Sequence, residues 1–273
     1  MKLGYIRLLL LGIVLATLSP KAQEVPQPPI RFARETLSIK GNPAFLIMPT
    51  SETIVNADAI PWVLYAPTFE GRLPSDRDEG WMMERWLKQG IAIAGVDIGE
   101  SYGNPEGRAV YSAFHKHLVE KYHFDRQASL LARSRGGLML YCWAVENPEK
   151  VRCIAGIYPV CDLTSYPGIQ QASPAYNLTV DELSDALPQH NPIPRLASLA
   201  KAKVPILHIH GDQDKLVPLA ANSQALATAY KNLGGEMTLI VATNQWHNMW
   251  RGFFECQELV DFVSQHATVQ QSR

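Results

Sequence analysis

The sequence predicts an α/β fold with a mainly parallel central sheet, helices on both faces, an antiparallel hairpin at the N-terminal end and a small cap insertion. Two observations carry this prediction. Short apolar segments alternate with helical segments of ten or more residues, which is typical of βαβ units. The chain of 273 residues, with 47% hydrophobic and 19% charged residues, is also long enough for one large domain with a substantial core.

The elements follow one another in a regular order. A hairpin is indicated by two strand-like segments, 36–40 and 44–48, on either side of a Gly-Asn-Pro turn. The strands predicted after this hairpin are 61–66, 91–98, 128–133, 151–158, 205–210 and 237–242. The predicted helices are 79–89, about 107–121, one that begins after the strand 128–133 and ends at about 147, 220–233, and roughly 253–266.

Residues 161–195 interrupt this alternation between a late strand and the next βα unit. The segment holds five prolines and little apolar periodicity. Ligands bind beyond the carboxyl ends of the strands in open α/β sheets, so we predict a small cap over that edge. The alternative is a surface loop without fixed structure. Tyr166, Ile169, Tyr176 and Leu178 favour the cap because they offer apolar surface to bury.

The N-terminal end has the features of a secretory signal peptide at 1–22. Lys2 and Arg7 precede a short apolar stretch at 8–18, and small residues follow it. A membrane span needs about 20 apolar residues, so the stretch favours an exported protein, periplasmic or secreted, over an anchored one. An uncleaved anchor is the alternative, because Pro20 lies close to the expected cleavage site.

The rest of the chain is predicted to be a tether followed by one domain. Three prolines in 23–35 predict an extended tether, and 36–273 is predicted to be the folded domain. The formal net charge of −1 gives no reason to expect nucleic acid or, beyond the signal segment, a membrane as a partner. Composition leaves the oligomeric state open.

Two interpretations of the four cysteines stay open. In an exported protein they form one or two disulfides, or they remain as small buried thiols. Their scattered spacing matches no zinc motif. We take His208 and His210 to face opposite sides of the strand 205–210, and we predict no metal ion and no cofactor. The four cysteines are Cys142, Cys153, Cys161 and Cys256.

A serine flanked by small residues stands between a predicted strand and a predicted helix. Ala132 and Gly136 lie two positions before and after Ser134, which is the pattern of a G-x-S-x-G elbow with alanine in its first small position. Such a turn exposes the hydroxyl above the sheet edge and directs the N–H groups of a helix start toward the same point. The motif is short, so its weight depends on an acid and a base further along.

Both groups follow in the chain, each directly after a predicted strand. Asp214 stands in a Gly-Asp-Gln-Asp turn, and His247 comes 33 residues later, with room between them for one helix and one strand. We expect Ser134 to be the nucleophile, His247 its general base, and Asp214 the acid that orients the imidazole. Asp212 is the alternative acid, but it fits better as a turn residue.

With these residues the chain resembles an α/β-hydrolase over roughly 36–266. Segment 132–137 is similar to the elbow of exported bacterial esterases and of prolyl-oligopeptidase-like members, and 210–218 is similar to their acid loop. The sequence departs from the pattern at Ala132, where glycine is usual, and at Trp246, where a glycine usually precedes the histidine. Trp246 is expected to narrow the acyl or alcohol pocket.

The oxyanion formed during such a reaction needs two N–H donors. One is expected to be the backbone N–H of Arg135, directly after the nucleophile. The other is expected from the loop that follows the early strand, with Thr68 or Phe69 as the donor.

Several further side chains are candidate substrate contacts. Arg133 and Arg135 flank the nucleophile, and either of them binds a substrate carboxylate or sugar hydroxyl, or both are paired with acidic residues on neighbouring loops. Glu100 is a candidate partner carboxylate. Aromatic residues near the strand ends are candidates for stacking on a sugar or an aromatic ring, with core packing as the alternative: Trp81, Tyr102, Trp143, Trp246 and Trp250.

The function predicted from these residues is an exported serine hydrolase that cleaves carboxylic esters, either small or carbohydrate-linked, through an acyl-enzyme. One alternative is a serine peptidase of the prolyl-oligopeptidase type. The other is a non-catalytic binding protein on the same fold, since a fold does not fix a function.

Overall fold

The computed structural model describes residues 32–66, residue 74 and residues 78–268. The predicted signal peptide at 1–22 and most of the predicted tether at 23–35 lie outside the described residues. Within the part that is described, no helix combines the length and the apolar character needed to cross a membrane.

In the described part of the chain, one sheet of eight strands forms the centre of the fold, in the order β1-β2-β4-β3-β5-β6-β7-β8. β1 and β2 form the predicted antiparallel hairpin, β2 also runs antiparallel to β4, and all other pairs are parallel. This confirms the mainly parallel sheet. The strands are β1 Glu35–Ile39, β2 Asn42–Ile47, β3 Trp62–Tyr65, β4 Ala92–Val96, β5 Ala128–Arg133, β6 Val151–Ile157, β7 Ile206–Gly211 and β8 Met237–Ala242.

In the described residues, helices lie between the strands that follow the hairpin and after the last strand, β8. They are α1 Gly80–Lys88, α2 Pro105–Tyr122, α3 Arg135–Ala144, α4 Ile169–Ala172, α5 Val180–Asp185, α6 Leu187–His190, α7 Ala197–Lys201, α8 Ala225–Asn232, α9 Arg251–Phe254 and α10 Gln257–Thr268. The helix predicted at 220–233 begins as a π-helical turn, Ala220–Gln224. The helix predicted at 253–266 is two helices, because the backbone leaves the helical conformation at Glu255, where φ is −117° and ψ is 29°.

Local sequence accounts for the limits of the longest helix, α2. Asn104 accepts a hydrogen bond from the backbone N–H of Gly107 at 2.8 Å, and Pro105 occupies the first helical position, where its missing N–H costs nothing. His123 ends the helix in the left-handed conformation, with φ 56°. The helix thus begins directly after the loop that follows β4, at the carboxyl edge of the sheet.

Both faces of the sheet are covered, as predicted. Successive residues of β5 point to opposite faces: Leu130 packs in one buried cluster and Leu131 in the other. The first cluster takes Phe114 and Leu118 from α2 and further residues from α3 and α8. The second takes Met82, Met83 and Trp86 from α1 and Leu259, Val260 and Val263 from α10.

Segment 161–195, predicted as a cap, forms short helices α4 to α6 and three-residue or four-residue 3₁₀ turns. Its buried side chains make a third cluster with residues from the loop after β4, from α3 and from the loop after β7. The segment therefore has a core of its own at the carboxyl edge. The members of this cluster are Tyr102, Leu138, Cys142, Val160, Leu163, Ala172, Tyr176, Leu183 and Val217.

All four cysteines, each within the described residues, are buried free thiols. Of the two interpretations left open, the structure has the reduced one. Burial raises the pKa of Cys142 and of Cys153 to about 12 and that of Cys256 to about 11, so these thiols stay protonated at neutral pH and are poor nucleophiles.

The expectation that His208 and His210 face opposite sides of β7 is wrong. Side chains alternate along a strand, so residues two apart share a face. Both imidazoles contact the same hydroxyl, with Nδ1 of each ring 2.9 Å and 2.8 Å from Ser223 Oγ. In the described part of the chain, no group of three or more side chains is arranged to hold a metal ion.

Candidate active site

Three parallel strands carry the predicted triad at one edge of the sheet. Ser134 follows β5, Asp214 lies just beyond β7, and His247 lies in the loop after β8. In the sheet order β5-β6-β7-β8 these strands are close neighbours, and the carboxyl ends of parallel strands meet at the same edge. The fold therefore brings together residues that are up to 113 positions apart in the sequence.

The turn at Ser134 is tight and strained. Its φ of 48° and ψ of −131° are rare for a residue with a side chain, and such strain is typical of functional turns. The turn is fixed by a hydrogen bond from Ser134 N–H to the carbonyl of Ile157 and by one from Val160 N–H to the carbonyl of Ser134. A Cβ at Gly136 would lie 2.9 Å from the Cβ of Ala66, so only glycine lets α3 start this close to the end of β3.

The three side chains form one continuous line of hydrogen bonds. Ser134 Oγ lies 2.8 Å from His247 Nε2, and His247 Nδ1 lies 2.7 Å from Asp214 Oδ2. Because Nδ1 faces a carboxylate, it carries the ring proton, and Nε2 is left to accept the proton of the serine hydroxyl. This is the geometry that a general base needs.

Close approach of two loops sets the position of His247. The backbone N–H of Gln213 donates to the carbonyl of Gln245 at 2.9 Å. A Cβ at Gly211 would lie only 2.2 Å from that carbonyl oxygen, so glycine at the end of β7 is what lets the histidine loop reach the acid loop.

The Asp214 carboxylate is buried and well supplied with donors. Oδ1 accepts the backbone N–H groups of Leu216 at 3.0 Å and Val217 at 2.8 Å. Burial by itself raises the pKa of Asp214, but hydrogen bonds from His210, His247 and Val217 outweigh it and hold that pKa well below its ordinary value. The side chain is therefore ionised at neutral pH.

Tyr158 contacts the triad and is absent from the sequence predictions. Tyr158 directly follows β6, and its backbone φ is 35°. Its ring centroid lies 4.3 Å from the ring centroid of His247. Burial raises the pKa of Tyr158, although Arg133 opposes this, so the phenol stays neutral beside the imidazole. The sequence signal that could have identified Tyr158 is its position at the carboxyl end of a predicted strand.

Arg133 lies beneath the site in a buried ion pair. Its guanidinium contacts Glu79, which also accepts the hydroxyl of Tyr65 at 3.0 Å, and it lies over the ring of Phe254 at 4.7 Å. The side chains of Arg133 and Glu79 are 7% and 0% exposed. Of the two alternatives predicted for Arg133, the structure has the one in which the guanidinium is paired with an acidic residue, here Glu79.

Arg135 is also paired. Its Nη1 lies 3.1 Å from Glu100 Oε1 and 3.1 Å from the carbonyl of Gly99. Tyr102, in the same loop, is mostly buried, and its hydroxyl accepts a hydrogen bond from Gln171 at 3.2 Å. Glu100 and Tyr102 thus lie between the residue after the nucleophile and the segment predicted as a cap.

Trp246 is 64% exposed and lies beside His247, as its position in the chain implies. Together with Gln213, Lys215 and Leu216, these two residues line a cavity of about 280 Å³. Among the other aromatic candidates, Trp143 is fully buried in the core, so for that residue the core alternative holds.

One predicted oxyanion donor is in place. The backbone N–H of Arg135 opens α3 directly after the nucleophile, where a helix N-terminus favours negative charge. The second donor, predicted from Thr68 or Phe69, lies outside the described residues and stays a prediction.

Solved structures with the same fold include peptidases and an S-formylglutathione hydrolase. A puromycin-hydrolyzing peptidase of Mycobacterium tuberculosis is 15% identical, with a TM-score of 0.69 over 88% of this chain and 41% of that one. An acylaminoacyl peptidase of Pyrococcus horikoshii is 16% identical, with a TM-score of 0.69 over 89% and 43%. An S-formylglutathione hydrolase of Agrobacterium tumefaciens is 16% identical, with a TM-score of 0.63 over 85% and 97%. The chain spans less than half the length of these two peptidases.

At such identities the similarity shows the fold, which is that of the α/β-hydrolases. Among curated proteins, no sequence matches this chain significantly. The model of the prolyl oligopeptidase family matches residues 111–269, which is more than half of the chain and includes Ser134, Asp214 and His247. The chain therefore belongs to the prolyl oligopeptidase family of serine hydrolases.

Proposed function

We propose that this protein is an exported serine hydrolase that cleaves small or carbohydrate-linked carboxylic esters through an acyl-enzyme at Ser134. The observation that carries the proposal is the unbroken line of hydrogen bonds from Ser134 through His247 to Asp214. A binding protein has no need to hold a strained serine against a correctly oriented imidazole.

The reaction follows from this geometry. Ser134 Oγ attacks the carbonyl carbon of the ester while its proton passes to His247 Nε2, and the N–H of Arg135 donates to the oxyanion. When the tetrahedral intermediate collapses, the C–O bond to the alcohol breaks and the alcohol leaves with the proton from Nε2. A water molecule then attacks the acyl-enzyme, gives its proton to His247, and releases the acid as Ser134 recovers its proton.

Charge neutralisation around the site supports an ester over a peptide with a free amino terminus. A cationic amine needs a carboxylate whose charge is not already balanced. Near the elbow, Glu100 is paired with Arg135 and Glu79 with Arg133. The cavity beside His247, at about 280 Å³, has room for a small acyl or alcohol group.

Exposed aromatic side chains support the carbohydrate-linked class of substrate. Trp246 is 64% and Trp250 42% exposed, and both lie in the loop that carries His247. Flat indole faces of this kind stack on apolar faces of sugar rings. The similar S-formylglutathione hydrolase is an esterase on the same fold, which supports ester chemistry in general but not a sugar.

A peptidase is the second candidate function, favoured by the family itself and by the similar peptidases. Purified protein assayed on p-nitrophenyl acetate and on aminoacyl-p-nitroanilides separates the two, with Ser134→Ala as the control for background hydrolysis. We expect a higher kcat/KM on the ester. A higher kcat/KM on the anilides overturns the ester assignment, and a wild-type protein that a fluorophosphonate probe does not label at Ser134 overturns catalysis altogether.

Export is the part of the proposal supported by the N-terminal sequence alone, with Lys2 and Arg7 ahead of the apolar stretch at 8–18. Expression of the full chain in a Gram-negative host, followed by osmotic-shock fractionation and sequencing of the mature N-terminus, tests it. We expect the protein in the periplasmic or culture fraction, beginning near residue 23. A protein that keeps its first 22 residues in the membrane fraction supports the anchor instead.

A further inference from the structure

A chain of buried polar side chains runs from the triad into the core. His210 Nε2 lies 2.8 Å from the carbonyl of Val217 and 3.3 Å from Asp214 Oδ2. His210 Nδ1 is 2.8 Å from Ser223 Oγ, which is 2.9 Å from His208 Nδ1. The far nitrogen of His208, Nε2, is 2.6 Å from the hydroxyl of Tyr141 in α3.

These groups are fully enclosed. His208, His210, Ser223 and Tyr141 are all 0% exposed. β6 makes room for the chain at Gly156, where a Cβ would lie 2.3 Å from the ring of His208. Buried polar groups are costly unless each has a partner, so the tautomers and proton positions must fit together.

The hydrogen bonds among these four side chains can all be formed, with an acceptor for every donated proton, in only one direction. His210 Nε2 faces two acceptors and must carry a proton. Burial lowers the pKa of His208 to about 3, so that ring is neutral. Tyr141 then donates to His208 Nε2, His208 Nδ1–H to Ser223, and Ser223 to His210 Nδ1, and His210 donates outward. A charged His210 would reverse the chain and leave the Tyr141 hydroxyl with no acceptor among its contacts in the described part of the protein.

We propose that His210 is a positioning residue for the catalytic acid, held in its donating tautomer by the buried chain Tyr141–His208–Ser223. Its Nε2–H donates to the carbonyl of Val217 at 2.8 Å, which fixes the turn that carries Asp214, and Asp214 Oδ2 lies 3.3 Å from the same nitrogen. The same N–H group also places positive hydrogen near the oxygen that accepts from His247. The inference rests on the proposed catalytic role of the triad.

An N–H group close to Asp214 Oδ2 weakens the electrostatic attraction between that oxygen and the imidazolium of His247. Removing the donor leaves more negative charge facing His247 and stabilises the protonated imidazole, so the acidic limb of activity is expected to move to higher pH. Ser134 from the elbow and Tyr158 from the end of β6 also face His247, with the ion pair of Arg133 and Glu79 behind Tyr158, and Lys215 lines the same cavity as His247. None of these changes when His210 is replaced.

Two replacements of His210 test the inference. His210→Leu removes the donor, while His210→Gln carries an amide N–H that can reach the same acceptors. We expect His210→Leu to lower kcat/KM on p-nitrophenyl acetate about tenfold, as loss of one hydrogen bond to a charged group implies. We expect the acidic limb of the His210→Leu pH profile to lie roughly half a pH unit higher. We expect His210→Gln to restore much of the kcat/KM and of the wild-type pH profile. An unchanged pH profile in His210→Leu, with only a lower Tm, overturns the proposal.

A matched pair of tyrosines tests whether the hydrogen-bonded row Tyr141–His208–Ser223 acts on His210. Tyr141 and Tyr230 are both fully buried, and each hydroxyl makes a hydrogen bond of 2.6 Å, but only Tyr141 belongs to the chain. Hydrogen bonds in series polarise one another. We therefore expect Tyr141→Phe to shift the pH profile in the same direction as His210→Leu, by less, and Tyr230→Phe to lower Tm without shifting it. Equal pH profiles for Tyr141→Phe and Tyr230→Phe would contradict an effect of the buried hydrogen bonds on Asp214.

A spectroscopic measurement separates this inference from the proposed activity. The proton between His247 Nδ1 and Asp214 gives a low-field ¹H NMR signal that needs no substrate. We expect its chemical shift to change in His210→Leu and in Tyr141→Phe but not in Tyr230→Phe. If the wild-type protein hydrolyses no ester yet the signal responds in this way, the proposed function fails and the positioning role stands. A signal that is the same in all variants overturns the positioning role.

Discussion

At the scale of single residues, the site depends on charges that are neutralised out of reach of solvent. Arg133 directly follows Ala132, the small residue of the elbow, and its guanidinium is paired with the buried Glu79 and lies 4.7 Å from the ring centroid of Phe254. A buried ion pair adds little net stability, but removing one partner leaves the other charge buried and uncompensated.

Glu79→Ala is therefore expected to be strongly destabilising, by about 3 kcal/mol or more. Urea unfolding measures this loss. Lys88→Ala is the matched control, because it breaks an ion pair whose side chains are 71% and 40% exposed and is expected to change stability by less than about 1 kcal/mol. A small loss in Glu79→Ala would contradict the description of Arg133 as a group held only by its internal partners.

Trp246 directly precedes His247 in the chain, and its indole lines the cavity beside that histidine. Trp246→Gly is expected to raise kcat/KM for bulky esters relative to p-nitrophenyl acetate, because it widens that cavity. Stability should change little, since the side chain is 64% exposed and surface changes usually stay within about 0.5 kcal/mol. Ester selectivity that matches the wild type would show that the indole does not limit the pocket.

At the scale of elements, the elbow joins three structures that must approach closely. β5 delivers Ser134, α3 begins at the next residue, and the end of β3 packs against Gly136 through Ala66. The positive φ of Ser134 persists because backbone hydrogen bonds to the strand and loop of β6 hold the turn from both sides.

Gly136→Ala and Gly136→Val are expected to lower stability and activity in that order. A new Cβ lies 2.9 Å from Ala66 Cβ and 3.0 Å from its carbonyl oxygen, and overpacking typically costs about 1–3 kcal/mol, which outweighs the better helix propensity of alanine. Thermal melting and kcat measure the two effects. Ala132→Gly is the comparison: it restores the usual elbow glycine and should cost roughly 1 kcal/mol or less with kcat preserved.

At the scale of the whole molecule, polar groups buried within the sheet make the stability of the fold depend on pH. Burial lowers the pKa of His208 to about 3, well below the ordinary value of about 6.5. The folded state therefore takes up this proton much less readily than the unfolded state. The stability contributed by neutral His208 is fully present above about pH 6.5 and is lost as the pH falls toward 3.

His208→Gln is expected to remove that contribution to acid unfolding. Below about pH 6.5 the wild-type free energy of unfolding should fall more steeply than that of the variant, by about 1.4 kcal/mol per pH unit for the one proton. Urea titrations at pH 7, 5.5 and 4.5 give both slopes. Equal slopes would show that His208 accepts a proton in the folded state as easily as in the unfolded one.

The sequence was sufficient for much of the fold because the signals are local. β5 and β8 lie at the predicted 128–133 and 237–242, where apolar runs are bounded by clear turn or helix signals. Three polar residues that follow strands in the order Ser134, Asp214, His247 also predicted a common edge. The last helix was predicted as one segment and is two, because nothing in the local pattern marks the break at Glu255.

The remaining parts of the site could not be predicted, because their partners are remote in sequence. Glu79 lies 54 residues before Arg133, and Tyr141 lies 67 before His208. No local pattern says which buried acid meets which arginine. The shared face of His208 and His210 was available from strand geometry, but their common contact with Ser223 was not.

The sequence by itself determined an α/β-hydrolase sheet and a serine, an acid and a histidine at its carboxyl edge, because periodicity and strand-to-loop boundaries are properties of neighbouring residues. Tertiary structure decided which charges are neutralised, which aromatic residues face the cleft, and what stands behind Asp214. Those depend on packing between elements far apart in the chain, where a buried polar group is tolerated only if another element supplies its partner.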